Sequence, residues 1–418
     1  MTGLNLAQLP SGFDRHRLLP VGASPAVGAA TGGASSALPA DAVAPLPSNL
    51  SREVYCILGL PIDAVDLPAV VRRLERAAVE RVTCLVSTPN LNFLVHSLSD
   101  PEFRQSLLDS DLCPPDGMPI IWIARLIGLP LRERASGADL LDRLRAKATG
   151  AHRLSLFLFG GATGVAAAAA KAFNADSSEP RCLGTMDPGF GEVDELSADN
   201  IINAVNSSGA DFLVVSLGAK KGQLWLQRNH HRLKIPIRAH LGAAIGFQAG
   251  VIKRAPPIVR ACGFEWLWRI KEERYLWKRY RHDGLVLLRL LFTRILPLAA
   301  LNRWHQLSQR LWPQELLIAK LREDDGSIEF GLSGSALQMH VSRASKLFGE
   351  ALATNRDIII DLSRTQTIDA RFFGMLMMLH KELTNRKAKL LFTGVTPAIR
   401  RVFQLTELGY LLSSNAGS

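Results

Sequence analysis

A carboxylate, a hydroxyl and an amide occur in two short polar loops in the first half of the chain. The segment Asp111–Gly117 contains two prolines and a glycine, which fix a tight loop with Asp116 at its tip. A Ser-Thr-Pro-Asn run supplies Thr88 and Asn90 directly after an apolar stretch. Loops at the carboxyl ends of parallel strands share one ligand-binding rim, so we expect these three side chains to face one crevice. The alternative is that Asp-Gly is only a turn and Thr-Pro-Asn only a helix start.

The elements that would position these loops alternate between strand and helix through residues 51–263. The predicted strands are Tyr55–Leu58, Cys84–Val86, Leu154–Phe159 and Asp211–Leu217. The predicted helices are Leu67–Glu80, Asn92–Leu108, Gly117–Ile127 and Val165–Phe173. Continuous apolar strands are typical of sheets buried on both faces. The pattern predicts an α/β domain with a Rossmann-like, mostly parallel sheet and helices on both faces.

Glycine-rich turns follow two of these strands. Gly160 and Gly161 stand between a strand and a helix, and Gly218 follows the next strand. Glycines let the backbone approach an anion, and a helix N-terminus offers free N–H groups, so a phosphate site is one interpretation. Close packing of helix on strand is the other. Neither Gly-x-Gly-x-x-Gly nor a Walker Lys-Ser/Thr pair is present, which argues against dinucleotide enzymes and P-loop NTPases. Arg254, beside Lys253, is a further candidate phosphate contact.

Composition narrows the class of protein. The 49 basic and 38 acidic residues give a net charge of +11, which favours an anionic partner such as nucleic acid, a phosphorylated substrate or a membrane surface. Five scattered cysteines predict neither disulfides nor zinc, and fit a reducing cytoplasm. Residues 1–50 are rich in Ala, Gly, Pro and Ser and carry no secretory signal pattern, so we predict a disordered tail.

Residues 264–312 form a basic and aromatic segment. Four cations at three- and four-residue spacing, from Lys271 to Arg281, would share one helical face. The apolar run Leu285–Leu301 is short for a membrane span and is interrupted by arginines and a proline. The composition is typical of a helix that lies in a membrane interface. A helix pair packed on the first domain is the alternative.

A set of short motifs resembles one known family over about residues 54–282. The motifs are Thr88-Pro89-Asn90, Pro115-Asp116-Gly117-Met118, Gly137-Ala138-Asp139-Leu140, Leu158-Phe159-Gly160-Gly161, Lys253-Arg254-Ala255-Pro256 and Gly263-Phe264-Glu265-Trp266-Leu267-Trp268-Arg269. In this order they resemble the WecG/TagA/CpsF glycosyltransferases, glycosyltransferase family 26. The resemblance implies an inverting transfer, without a metal or other cofactor, from a UDP-sugar to a sugar carried on undecaprenyl diphosphate. N-acetylmannosamine is the commonest donor sugar of the family.

The resemblance also implies roles for residues. Asp116 corresponds to the general base and Thr88 to a supporting residue near the donor, while Asn90 and Arg134 occupy matching motif positions in the pocket. A carboxylate can take the proton of the acceptor hydroxyl, and cations must then neutralise the departing diphosphate in place of a metal. The family carries a C-terminal appendage that meets the bilayer and supplies arginines to the site. The candidates here are Arg269, Arg274 and Arg279.

Two segments depart from the family pattern. Lys220-Lys221-Gly222-Gln223 replaces a usual Pro-Lys-Gln-Glu, and Ile245-Gly246-Phe247 replaces a usual Phe-Asp-Phe. Both are expected to border the sugar pocket. The donor sugar therefore stays open between N-acetylmannosamine, glucose and another hexose.

Residues 314–414 resemble a STAS domain, a small α/β fold. The resemblance is carried by the order of strands and helices and by Asp361-Leu362-Ser363 and Ile368-Asp369-Ala370. Phosphorylated members have a serine where this chain has Ala370, so phosphorylation at that position is excluded. A module that docks a protein partner or senses a signal is one interpretation, and a purely structural role is the other.

Two functions of different class follow from these features. The first is a peripheral glycosyltransferase on the cytoplasmic face of the inner membrane, acting on a UDP-sugar and a polyprenyl-diphosphate-linked acceptor in envelope polysaccharide synthesis. The second is a regulatory adaptor whose STAS domain is active and whose first domain is a degenerate nucleotide binder. Nucleic-acid binding is not favoured, because the basic residues stand beside tryptophans and leucines and no recognised binding motif is present.

Overall fold

The computed structural model describes residues 49–146, 153–175, 180–311 and 315–413. The predicted tail lies outside these residues except for Asn49 and Leu50. These two belong to a short 3-10 turn, and Leu50 is buried in the core of the C-terminal domain, so the tail prediction extended too far there. The first strands, β1 (Val54–Ile57) and β2 (Leu60–Asp63), form an antiparallel hairpin outside the main sheet.

The main sheet has five strands, all parallel, in the order β3-β7-β6-β4-β5. Its strands are β3 (Cys84–Val86), β4 (Leu156–Gly160), β5 (Cys182–Met186), β6 (Phe212–Ser216) and β7 (Ile237–His240). Its helices and those near it are α1 (Leu67–Val79), α2 (Leu91–Ser99), α3 (Pro101–Leu108), α4 (Met118–Leu126), α5 (Gly137–Ala146), α6 (Val165–Asn174), α7 (Asp199–Ser207), α8 (Ala219–Asn229), α9 (Ala244–Gln248) and α10 (Pro257–Ala261).

Helices cover both faces of this sheet, as predicted. Leu156 and Leu158 of β4 pack in one core with residues of α1, α5, α6 and α9. Phe157 and Phe159, which point the other way along the same strand, pack in a second core with residues of α7 and α8. Burial on both faces explains why β4 and β6 read as continuous apolar runs.

One predicted helix is two helices. The run Asn92–Leu108 divides at Asp100, whose extended backbone (φ −124°, ψ 102°) separates α2 from α3. Pro101 disfavours a helical conformation of the residue before it, and the Asp100 side chain then accepts from Phe103 N at 3.0 Å to cap α3. The break turns α3 toward the C-terminal domain.

The basic segment forms α11 (Glu265–Glu272), α12 (Trp277–Leu290) and α13 (Leu296–Leu311), with a π-helical turn at Leu291–Ile295. The single basic face predicted from Lys271 to Arg281 does not form, because extended Glu273 (φ −125°) interrupts the helix. The helix from Arg274 to Leu307 has 34 residues and is, by length and composition alone, able to cross a membrane.

The C-terminal domain has a four-stranded sheet in the order β11-β10-β9-β8. Strands β9 and β11 flank β10 in parallel, and β8 pairs with β9 antiparallel. The elements are β8 (Leu317–Glu323), β9 (Ser327–Ala336), α14 (Val341–Leu352), β10 (Asp357–Ile368), α15 (Ala370–Asn385), β11 (Leu390–Thr393), α16 (Pro397–Leu405) and α17 (Tyr410–Ser413). The observed order matches the predicted one, with β8 as an additional edge strand.

Candidate functional site

The carboxylate of Asp116 lies at the rim where β3 ends. Asp116 N donates to Pro89 O at 2.9 Å, so the two polar loops are joined through their backbones. Asn90 Nδ2 donates to Asp116 Oδ2 at 3.4 Å. The Asn90 Oδ1 atom accepts from Phe93 N at 3.1 Å and caps α2, which fixes the orientation of the amide. The structure thus brings Asn90 and Asp116 together.

Thr88 lies in the same rim, one residue before the Pro89 carbonyl that holds Asp116. Its neighbour Ser87 is fully buried and forms hydrogen bonds with residues 110–112 and with α8. Ser87 Oγ lies 2.6 Å from Ser110 Oγ and accepts from Gln223 Nε2 at 2.6 Å, while Ser87 N donates to Leu112 O at 3.0 Å. Thr88 itself is 4% exposed. A buried hydrogen-bond network therefore fixes the loop that bears Thr88 relative to the segment that leads into Asp116.

The environment of Asp116 alters its acidity. Removal of water by the surrounding protein raises the pKa of Asp116 to about 7, although the Arg134 guanidinium and the Asn90 hydrogen bond act in the opposite direction. A carboxylate with a pKa near the working pH is ionised in part and still basic enough to accept a proton from a hydroxyl. The arrangement suits a general base.

Arg134 connects Asp116 to a group of partly buried ion pairs. Arg134 Nη1 donates to Glu265 Oε2 at 2.5 Å, and its Nη2 lies 3.8 Å from Asp139 Oδ2. Arg254 pairs with Asp139 and also with Asp142, and Arg260 lies 3.5 Å from Asp139. Arg134 and Arg254 belong to one ion-pair cluster.

The predicted glycines lie on the other half of the rim. Gly160 (φ +90°) approaches Ser216 so closely that a Cβ would come within 2.6 Å of the Ser216 carbonyl, so close packing accounts for this glycine. Gly161 and Gly218 also have positive φ, but a Cβ on Gly218 would meet nothing within 4 Å. Gly218 immediately precedes α8, whose first N–H groups are therefore accessible to an anion.

The distance across the rim matches an extended ligand. Strand β4, which ends at Gly160, is three strands from β3 in the sheet order, or about 14 Å at the usual spacing of neighbouring strands. The turn at Gly160 and Gly161 therefore lies three strands from the end of β3, and Gly218, which follows the middle strand β6, lies two strands from it. A ligand with a diphosphate between two rings is long enough to reach from Asp116 to a glycine turn.

The three arginines of the basic segment have contacts other than Asp116. Arg269 donates to Glu273 Oε2 at 2.5 Å and lies over the Phe247 ring, with 5.7 Å from its Cζ to the ring centroid. Arg279 lies over Tyr280 at 4.9 Å. Arg274 lines an open groove together with Ile270, Tyr275 and Trp277. In the described ranges no hydrogen bond or ion pair joins these three arginines to Asp116.

The sequence predicts no individual role for five residues that the structure brings to the site or its support, namely Asp139, Glu265, Ser87, Ser110 and Gln223. Asp139 and Glu265 each lie in a motif of the family, but only the fold shows that they pair with arginines. Ser87 lies in the Ser-Thr-Pro-Asn run, and Gln223 lies in a segment that departs from the family pattern. Their bonds to each other and to Ser110 were not predictable, because buried hydrogen bonds between distant loops leave no periodicity. Over the part of the chain that the structure covers, no three His, Cys, Asp or Glu side chains are grouped to hold a metal ion.

Comparisons with known proteins identify two regions of the chain. Residues 55–300, more than half of the chain, match the model of the glycosyl transferase WecG/TagA/CpsF family. Residues 319–413 match the model named Mlab, STAS domain. A solved structure of the anti-sigma factor antagonist SpoIIAA in its unphosphorylated form is 18% identical, covers 21% of this chain and 82% of its own, and has a TM-score of 0.20.

Curated relatives share the first of these regions. An N-acetylglucosaminyldiphosphoundecaprenol N-acetyl-beta-D-mannosaminyltransferase of Bacillus spizizenii is 26% identical over 52% of this chain and 84% of its own length. Proteins of the same name from Bacillus subtilis and Staphylococcus aureus are 23% and 21% identical, each over 53% of this chain and 85% of their own length. The chain belongs to the WecG/TagA/CpsF family of glycosyltransferases and carries a C-terminal STAS domain.

Proposed function

We propose that this glycosyltransferase moves a sugar from a UDP-sugar to a sugar carried on undecaprenyl diphosphate, with inversion at the anomeric carbon. The observation that carries the proposal is the carboxylate of Asp116, which is bound by Asn90, faces Arg134 and has a pKa raised to about 7. The relatives from Bacillus and Staphylococcus are named for a transfer of this type. On that basis we propose an undecaprenyl-diphosphate-linked acceptor and a UDP-linked donor for this chain.

Asp116 acts as the general base in this mechanism. Its carboxylate accepts the proton of the acceptor hydroxyl while that oxygen bonds to the anomeric carbon and the bond to the UDP oxygen breaks. Asn90 orients the carboxylate by donating to Oδ2 and by capping α2. Thr88 is proposed as a hydrogen-bond donor close to the bond that breaks.

The departing diphosphate gains negative charge, which hydrogen-bond donors and cations must stabilise. Gly161, Gly218 and the N-terminus of α8 offer backbone N–H groups, and Arg134 and Arg254 offer guanidinium groups. No metal and no other cofactor takes part in the proposed step. Arg269, Arg274 and Arg279 are proposed to contact the diphosphate of the acceptor lipid, and the groove beside Arg274 suits its first prenyl units.

The chain is proposed to work on the cytoplasmic face of the inner membrane as a peripheral protein. Large apolar side chains are exposed along α12, the π-helical turn and α13, among them Phe292 in the turn (63% exposed) and Trp304 in α13 (70%). Cations such as Arg281 and Arg289 lie on the same helices. Exposed aromatic residues beside arginines are typical of helices that bind an anionic lipid surface. The cysteines of the described residues are all free, as expected in a reducing compartment.

The test is release of UDP in the presence of a short-chain prenyl-diphosphate acceptor that carries N-acetylglucosamine. We expect turnover with one donor of a panel that contains UDP-N-acetylmannosamine, UDP-glucose and other UDP-hexoses. The glycosylated lipid should be recovered by mass spectrometry in an amount equal to the UDP released. Absence of product with every donor and acceptor, from a folded protein bound to vesicles, would contradict the proposal.

The regulatory adaptor remains the second candidate. It predicts capture of a protein partner through the STAS domain without any turnover. The packing of α15 against the transferase domain favours the first candidate, because this helix is not free to receive another protein.

A further inference from the structure

The longest helix of the STAS domain is buried against the transferase domain. Twelve of the sixteen residues of α15 are buried, including the charged residues Arg371 and Lys381. Arg371 donates to Val54 O at 3.2 Å and to Arg52 O at 3.0 Å. At Gly374 the helix lies so close to β1 that a Cβ would come within 2.0 Å of Val54 O. The face of α15 is therefore occupied by the same chain.

Lys381 extends from this helix to the start of the loop that carries Asp116. Its Nζ atom donates to Ser110 O and to Asp111 Oδ1, both at 3.0 Å, and the side chain is 4% exposed. The other oxygen of Asp111 accepts from Leu85 N of β3 at 3.0 Å. Although burial alone would raise it, the pKa of Asp111 is lowered by Lys381 and by this backbone donor, so Asp111 stays charged.

A second cation, Arg52, also binds the Ser110 carbonyl. Arg52 Nη1 donates to Ser110 O at 3.0 Å, and its other nitrogens bind both oxygens of Asp63 at 3.1 and 2.7 Å. Asp63 Oδ2 in turn accepts from Cys113 N at 2.6 Å. The segment from Ser110 to Cys113 is thus fixed by two buried charges, of which only Lys381 belongs to the STAS domain.

This fixed segment supports both active-site loops. Ser110 Oγ bonds to Ser87 Oγ, one residue before Thr88, and Leu112 forms a parallel bridge with Val86. Three residues beyond Cys113, Asp116 N bonds to Pro89 O. Displacement of Ser110 or Asp111 would therefore change the position of Asp116 relative to Thr88.

We propose that Lys381 is a positioning residue for sugar transfer, so that the STAS domain is an integral part of the active enzyme. Lys381 acts through Asp111 and Ser110 and does not contact the substrates. The proposal rests on the proposed function for its kinetic consequence but has a structural consequence of its own. Loss of Lys381 leaves the partly buried carboxylate of Asp111 with one oxygen unpaired, which favours rearrangement of the loop.

The test compares Lys381→Met with Lys389→Met in the full chain bound to vesicles. Lys389 is an exposed lysine of the same domain. For Lys381→Met we expect a decrease of tenfold or more in kcat, a change of less than threefold in KM for the UDP-sugar, and faster hydrogen exchange in residues 110–117. Lys389→Met should match the wild type in all three. Lys381→Arg, which keeps the charge, should recover part of kcat.

The double variant Asp111→Asn/Lys381→Met separates positioning from loss of folding. Because the double variant removes the unpaired charge, it should fold. Hydrogen exchange in its residues 110–117 should be slower than in Lys381→Met. Wild-type rates and wild-type exchange in Lys381→Met would overturn the proposal. If the wild type itself transfers no sugar, the proposed function fails, and the exchange measurement still decides whether Lys381 holds the loop.

Discussion

Asp116 combines two properties that a base needs, partial exposure at the rim and a pKa close to neutrality. Both come from its surroundings rather than from its own loop. Asn90 and Pro89 hold it from one side, and Arg134 lies on the other, itself paired with Glu265. The balance between lost solvation, which raises the pKa, and the nearby cation, which lowers it, sets the value at about 7.

Replacement of Asp116 by Asn should remove the base and keep the shape of the side chain. We expect kcat to fall by about 10² to 10⁴, the usual contribution of a positioned base. UDP-sugar binding should change little, as measured by calorimetry. Asp325→Asn, in an exposed turn of the STAS domain, is the matched control and should leave kcat unchanged. Full activity of Asp116→Asn would exclude Asp116 as the base.

The same substitution should have a pH-dependent effect on stability. Because the pKa of Asp116 is about 7 in the folded protein and near 3.8 when unfolded, the folded state binds the proton more tightly. Its contribution to stability is full below about pH 4 and is lost as pH rises through 7. Thermal melts should therefore show Asp116→Asn gaining on the wild type between pH 5 and pH 8. An equal difference at both pH values would contradict the raised pKa.

The pH dependence of activity should respond to Arg134. In the wild type kcat/KM should fall tenfold per pH unit below about pH 7, as Asp116 becomes protonated. Arg134→Gln removes the cation that lowers the pKa of Asp116 and leaves Glu265 without its ion-pair partner, so the acid limb should move to higher pH. Arg228→Gln, an exposed arginine far along α8, serves as control. An acid limb that stays in place would show that Arg134 does not act on the base.

At the scale of elements, the basic segment differs from an ordinary packed helix pair in the apolar side chains that it leaves exposed. Helices α12 and α13 bury one face, with Leu290, Ile295 and Leu298 in the core beside α2 and α4. Their other face exposes aromatic and leucine side chains. Burial on one side and exposure on the other are what an interfacial helix requires.

Loss of two exposed aromatic residues should weaken membrane binding. Burying one such side chain contributes about 1.5 to 3 kcal/mol, so Phe292→Ser/Trp304→Ser should reduce partition into vesicles with anionic phospholipid by at least tenfold. The control is Phe190→Ser, which changes a fully exposed phenylalanine in the loop after β5. Sedimentation with vesicles measures both. Equal partition of the two variants would favour the packed helix pair over the membrane interface.

At the scale of the whole molecule, the two recognisable domains share a core. Val54, Cys56 and Leu108 of the transferase domain belong to the same apolar cluster as the STAS strands and helices. Polar contacts across the boundary include Arg294 with Glu407 at 2.7 Å and Arg104 over the Tyr410 ring at 4.1 Å. The domains should therefore unfold together rather than separately.

Two glycines of the STAS domain should respond in opposite ways to alanine. Gly374→Ala forces α15 away from the Val54 carbonyl and should cost about 1 to 3 kcal/mol in free energy of unfolding. Gly349→Ala lies in α14, where the added Cβ makes only ordinary contact with Leu50, and should stabilise by up to about 1 kcal/mol. Urea titration measures both. A neutral Gly374→Ala would show that the packing of α15 on β1 is loose.

The sequence alone determined the alternation of strands and helices, the glycine turns, the family and the carboxylate proposed as base, because apolar periodicity, turn chemistry and short motifs are local properties. The break at Asp100 was not predicted, although Pro101 disfavours a helical conformation of the residue before it. Only the tertiary structure decided which partners these residues meet. Arg134 pairs with Glu265 across 131 positions, and Lys381 binds Asp111 across 270. Such pairs depend on how separate elements pack in space, and nothing in the local sequence around either partner specifies the other.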